Sequence, residues 1–142
     1  MKWIITANTN LCRIYQFDKH GAKVVLLKEI NHPENRQKTG DSLTSDKPGR
    51  YQSDVSMGGA YSPHTDPKDV AIDQFSRQVA EELNKGRNLN AYKDLVIITP
   101  DHMNGLLLKH LDKHVVELIS SQIHKDVMHL SQHELVEYFS NL

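Results

Sequence analysis

The stretch Leu95-Val96-Ile97-Ile98-Thr99, stopped by Pro100, is an unbroken apolar run without polar alternation. A strand of that kind is buried on both faces, which requires helices on both sides of a largely parallel sheet. Helical spacing flanks the run on each side. Upstream, Val70, Ala71, Ile72, Phe75, Val79, Ala80 and Leu83 recur at helical intervals, ending near Asn84-Lys85-Gly86. Thr65 or Asp66 suits the cap, Pro67 the first helical position, and Asp69 the positive helix terminus. Downstream, Leu107, Leu108, Leu111, Val115 and Ile119 mark a second amphipathic helix, and the residues from Ile123 to Leu130 read as a fifth strand. Ser131-Gln132-His133-Glu134 has the form of a capping box opening a last helix, with Leu135, Val136 and Phe139 inward.

The first thirty residues carry a different pattern. Trp3-Ile4-Ile5-Thr6 reads as a strand, and Asn8-Thr9-Asn10 supplies turn chemistry. Leu11 to Phe17 alternates, with Leu11, Arg13, Tyr15 and Phe17 on one face and Cys12 and Ile14 on the other. Asp18-Lys19-His20-Gly21 is a second turn before a third strand from Lys23 to Ile30, so the three strands form an antiparallel meander. Residues 31–65 then hold four of the seven glycines and three of the five prolines, with no helical or alternating period. A loop of that length in a compact domain is functional or disordered.

The predicted order is βββ-loop-αβαβα. Helical crossovers are right-handed and leave the last two strands parallel to their neighbours. The fold class that satisfies this order is α/β, a single three-layer domain over residues 1–142 with one mixed five-stranded sheet, which corresponds to a ribonuclease-H-like topology. A shared fold does not establish a shared chemistry.

Composition removes several function classes. Seventeen Lys and Arg against eighteen Asp and Glu exclude a broadly basic nucleic-acid wrapper. A single cysteine, Cys12, excludes a disulfide framework and a multi-cysteine zinc module. The apolar run at the N-terminus is too short for a secretory signal, and no segment approaches the ~20 apolar residues of a membrane span. The expectation is a cytoplasmic protein without a membrane partner.

Several segments together resemble the bacterial host attachment protein family, whose relatives include the archaeal and eukaryotic class-1 release factors. The carrying residues are Trp3-Ile4-Ile5-Thr6-Ala7 with Arg13-Ile14-Tyr15; Asn31-His32-Pro33; Ser45-Asp46-Lys47-Pro48-Gly49-Arg50; and Asp66-Pro67-Lys68-Asp69 leading to Phe75. Leu95 to Pro100 with Gly105, Lys125-Asp126 and His133-Glu134-Leu135 complete the match over essentially the whole chain. The resemblance implies the fold of the release-factor middle domain, where a Gly-Gly-Gln tip on the loop before the first helix promotes peptidyl-tRNA hydrolysis. Here Gly58-Gly59 stands in the corresponding loop, followed by Ala60 rather than glutamine.

The long loop is the principal candidate site. Arg36, Lys38, Lys47 and Arg50 supply cations, and Tyr51 and Tyr61 can stack on bases. Pro48-Gly49 favours a type II turn that aims Arg50. The opposing reading is a solvated insertion, since Glu34, Asp41, Asp46 and Asp54 nearly cancel that charge. By resemblance the first expectation is a non-enzymatic protein contacting ribosome or structured RNA through residues 32–64, with Lys47, Arg50, Tyr51, Gly58, Gly59 and Tyr61 as binding residues. One alternative is a peptidyl-tRNA or ester hydrolase whose Gly58-Gly59 amides stabilise an oxyanion. Another is a host-cell attachment factor.

Other chemistry is not expected. His110 and His114 stand at i and i+4 on a predicted helix, but Leu111 occupies the place of the zinc-protease glutamate and no third ligand is evident. The first strand offers Thr6 and Asn8 rather than the acid a two-metal nuclease needs, and Asp101 reads as a helix cap. Cys12 reads as a buried hydrophobe, and no Walker A loop, dinucleotide fingerprint or Gly-x-Ser-x-Gly elbow is present. Neither a metal nor a cofactor is expected.

Overall fold

The computed structural model describes residues 1–32 and 67–142. Strands β1 (Lys2–Ala7), β2 (Leu11–Asp18) and β3 (Lys23–Asn31) precede helix α1 (Pro67–Asn88), and β4 (Asp94–Ile98) follows it. Helices α2 (Asp101–His110) and α3 (Lys113–Val116), strand β5 (Ile119–Ile123) and helix α4 (Gln132–Ser140) complete the order. The strands form one mixed sheet in the order β3-β2-β1-β4-β5. β1 pairs antiparallel with β2 and parallel with β4; β2 and β3 are antiparallel, β4 and β5 parallel. The meander, the crossovers and the α/β fold class therefore stand as the sequence predicts.

The parallel pair β1–β4 lies at the centre of the sheet and shows why Trp3 to Ile5 and Leu95 to Ile98 are apolar. The register sets Ile5 beside Ile97 and Ile4 beside Val96, so adjacent positions point to opposite faces. Ile5, Leu95 and Ile97 join Phe75, Val79, Leu83, Met103 and Leu107 in the core beneath α1 and α2. Ile4, Val96 and Ile98 join Tyr15, Phe17, Leu135 and Phe139 beneath α4. Each fully buried large apolar side chain contributes roughly 1.5–3 kcal/mol, so strands feeding two cores are mostly apolar, and Thr6 is the buried polar residue of β1. β2 keeps its predicted alternation: Cys12 and Ile14 enter the first core, Tyr15 and Phe17 the second. Both outer ladders carry a register shift, between Ile14 and Tyr15 and between Leu95 and Val96. Such irregularities twist an edge away from further pairing.

Three boundaries depart from the sequence reading. The second amphipathic helix divides: α2 ends at His110, α3 is a separate short turn, and Ile119 opens β5. Leu107, Leu111 and Val115 do share the first core, so their periodicity reflects burial rather than one continuous helix. The fifth strand is consequently Ile119–Ile123, and the residues from His124 to Leu130 form a connection to α4 rather than a strand. Gly86 lies inside α1 instead of ending it. A Cβ there would meet the Trp3 ring at 2.6 Å, so glycine admits the indole to the helix surface. The helix instead stops at a Schellman motif around Asn90. Asn90 takes φ 57°, its N–H donates to the Arg87 carbonyl at 2.9 Å, and the Ala91 N–H donates to the Gly86 carbonyl at 2.8 Å. The described part of α1 begins at Pro67, and the cap candidates Thr65 and Asp66 lie outside the described residues.

The capping box opening α4 forms in full. The Glu134 N–H donates to Ser131 Oγ at 3.2 Å and the Ser131 N–H donates to Glu134 Oε1 at 2.8 Å. Among the described residues, no helix is long and apolar enough to cross a membrane.

Candidate functional site: the carboxyl-end rim of the sheet

β1, β4 and β5 are mutually parallel, and β3 runs in the same direction because it is antiparallel to β2. Four strands therefore end on one rim, at Ala7, Asn31, Ile98 and Ile123. The chain leaves β1 toward β2 on one side and leaves β4 toward β5 on the other. Open α/β sheets place their ligand sites at such a divergence, outside the carboxyl ends of the strands. His32, just past β3, is buried and stacks on Phe75 of α1 with ring centroids 5.2 Å apart. That contact sets the first turns of α1 at the same rim. His32 and Pro67, the described residues on either side of 33–66, thus both lie at the end where the strands converge.

The rim is stitched by polar side chains. Asn8 Oδ1 accepts from the Asn10 and Leu11 N–H groups at 2.8 and 3.0 Å, fixing the β1–β2 turn. Its Nδ2 reaches Asp126 Oδ2 at 3.5 Å, and Asp126 Oδ1 accepts from the Met128 N–H at 2.9 Å. The Thr99 N–H donates to the Ile123 carbonyl and the Lys125 N–H to the Thr99 carbonyl, prolonging the β4–β5 ladder past its last strand residues. The Lys125 ammonium sits 5.7 Å from the centroid of the Tyr138 ring. His124 Nδ1 lies 3.5 Å from Asp101 Oδ1.

These groups can position a ligand through hydrogen bonds, one lysine and one aromatic face. Among the described residues no three His, Cys, Asp or Glu side chains are placed to hold a metal ion. Asp101 does not cap α2: Pro100 is the N-cap residue, no side-chain cap bond forms, and Asp101 stands in the first turn facing His124. His110 and His114 lie on different helices, because the chain breaks at Leu111. His110 is not on a solvated face. Its Nε2 meets Asp73 Oδ1 of α1 at 2.8 Å, and that hydrogen bond holds the Asp73 carboxyl below its ordinary range. His114 stays exposed, 4.0 Å from Glu117. The Cys12 thiol is fully buried, and desolvation pushes its pKa far up. It has neither the access nor the acidity of a nucleophile.

The sequence-predicted binding residues Lys47, Arg50, Tyr51, Gly58, Gly59 and Tyr61 lie outside the described residues. What sequence reasoning missed is the convergence of Asn8, Asp101, His124, Lys125 and Asp126. Each follows the end of a strand, which is the signal that could have found them. Assigning Ile123 to Leu130 to a strand hid three of the five.

A three-layer α/β domain with one mixed five-stranded sheet is the class this architecture defines. Among solved structures it is similar to an archaeal translation termination factor, aRF1, with a TM-score of 0.51 and 13% identity over 89% of this chain. An "Archaeal protein" gives a TM-score of 0.48 at 15% identity. The similarity to aRF1 concerns the fold alone, and the chain spans less than a third of the length of either structure, 31% and 30% respectively. In sequence, the family described as "Protein required for attachment to host cells" matches residues 3–139, and the chain belongs to that family. An uncharacterized protein of Rickettsia prowazekii (strain Madrid E), RP470, is 30% identical over 80 residues. That match covers 55% of this chain and 53% of the relative, so the chain spans about half the length of that protein.

Proposed function

We propose that this host attachment family protein is a non-enzymatic binding protein that contacts the ribosome or structured RNA through residues 32–64. Lys47 and Arg50 pair with phosphates, Tyr51 and Tyr61 stack on bases, and Gly58-Gly59 allows close backbone approach. The observation that carries the reading is the convergence of both stems of that segment on the rim of a sheet similar in fold to a translation termination factor. Lys125 and Tyr138 stand on the same rim and extend the surface with a cation and a ring.

The test is co-sedimentation with ribosomes on a gradient, at low and moderate salt. The expected result is comigration that survives moderate salt and is lost in the Lys47→Glu, Arg50→Glu double variant, because each reversed charge removes a phosphate contact. Absence of comigration, or identical profiles for parent and variant, overturns the reading. The family description favours a second role, in contact with a host cell. Protection of the protein from protease added to intact cells removes support for it.

A further inference from the structure

At the opposite end of the sheet from the rim, a cleft of about 470 Å³ opens between the β2–β3 hairpin tip, the start of β1 and the connection into β4. Its size falls in the range of small-ligand sites, roughly 300–1,000 Å³. Lys2, Lys19, His20 and Lys93 line it together with Asp18 and Asp94. One oxygen of each carboxylate has a partner. Asp18 Oδ1 accepts from the His20 and Gly21 N–H groups at 3.1 and 3.4 Å, which fixes the hairpin tip. Asp94 turns Oδ2 toward Lys2 Nζ at 3.7 Å, and its other oxygen is buried with no hydrogen-bond partner among the described residues. Lys19 and Lys93, by contrast, are exposed and make no ion pair with any described residue. The Lys2–Asp94 contact is long and partly solvated, so it competes weakly for the Lys2 ammonium.

The arrangement presents cations from three separate segments to one concavity, in a chain whose formal net charge is −1. The hairpin wall is organised before any ligand arrives, through the Asp18 turn and the bond from the Ala22 N–H to the Lys19 carbonyl at 3.2 Å.

We propose that this cleft binds a small molecule carrying a diphosphate or triphosphate chain. Lys19 and Lys93 hold the phosphates from opposite walls, and Lys2 is drawn from Asp94 to a third oxygen. The assignment is independent of the RNA-contact reading, since it uses the other end of the sheet and none of residues 33–66.

Calorimetric titration of the full chain with sodium tripolyphosphate, ADP and adenosine tests it. Tripolyphosphate and ADP are expected to bind with an affinity that falls as salt rises, and adenosine to give no heat. The Lys19→Met, Lys93→Met double variant should bind at least about tenfold more weakly, the loss of two charge-assisted contacts. Both lysines are exposed, and an unchanged circular dichroism spectrum verifies the fold. The Lys47→Glu, Arg50→Glu variant should titrate like the parent, which separates this result from the ribosome experiment. Any one of four outcomes overturns the proposal: no heat from either phosphate compound, undiminished affinity in the methionine variant, adenosine binding as tightly as ADP, or binding through these lysines of an RNA oligomer alone.

Discussion

Gly86→Ala isolates a conflict between local and tertiary preference. In a helix interior alanine is favoured over glycine by roughly 0.5–1 kcal/mol, so α1 considered alone predicts stabilisation. In the folded chain the added Cβ would fall 2.6 Å from one Trp3 ring carbon, 2.8 Å from a second and 3.2 Å from the Tyr92 ring. Trp3 cannot step aside cheaply. Its ring packs on Tyr92 at a 32° tilt with centroids 4.6 Å apart, and Tyr92 is itself held by a 2.6 Å bond from its hydroxyl to the Leu83 carbonyl. Burial pushes that phenol up to about 12, so it remains the donor throughout the neutral range. Overpacking of a fixed core costs about 1–3 kcal/mol, and this contact belongs at the upper end. Subtracting the helix preference leaves a net loss of about 2 kcal/mol, or roughly 6–8 °C in Tm for a domain of this size. Thermal and urea unfolding followed by circular dichroism measure it. In a Trp3→Phe background the clashing six-membered ring is withdrawn, and Gly86→Ala should become neutral or stabilising. A Gly86→Ala protein as stable as the parent with Trp3 in place refutes the close-packing argument.

Two backbone positions carry related expectations. Asn90, in the left-handed region, tolerates glycine, whereas Asn90→Val should cost about 1–2 kcal/mol in urea unfolding by forcing a β-branched residue into that conformation. Ala22 takes φ 48° in the β2–β3 turn, so Ala22→Gly should raise the urea midpoint, by the equivalent of up to about 1 kcal/mol. At the start of α4, Ser131→Ala should cost about 1 kcal/mol. The Ser131 N–H and then its hydroxyl hold the Glu134 carboxyl below its ordinary value of 4.5. That contribution is complete above the ordinary value and fades as pH falls through the lower folded one. Glu134→Gln keeps the hydrogen-bonding geometry and should flatten this part of the acid limb, read from urea midpoints between about pH 3 and 6.

Local chemistry was enough for much of this protein. The unbroken run at Leu95–Thr99 announces a strand between two helical layers, because no alternation means no solvent face. The Ser131–Glu134 box marks a helix start, since caps are satisfied by residues a few places away. The alternation in β2 sorts Cys12 and Ile14 from Tyr15 and Phe17, because the strand period is set by the backbone itself. Tertiary structure decided where apolar residues only imitate a period. Leu107, Leu111, Val115 and Ile119 all pack toward one core, yet the chain turns at Leu111 and Asp112, and Ile119 pairs with Leu95 in the sheet. Burial constrains which face a residue meets and not which backbone carries it there. Gly86 looked like a helix end because glycine commonly is one, but what selects it is the Trp3 ring more than eighty positions away. The rim and the basic cleft have the same origin. Asn8 meets Asp126, and Lys19 and Lys93 line one cleft, only once the sheet brings distant segments to a common end. Such meetings depend on register and strand order, which no run of neighbouring residues encodes by itself.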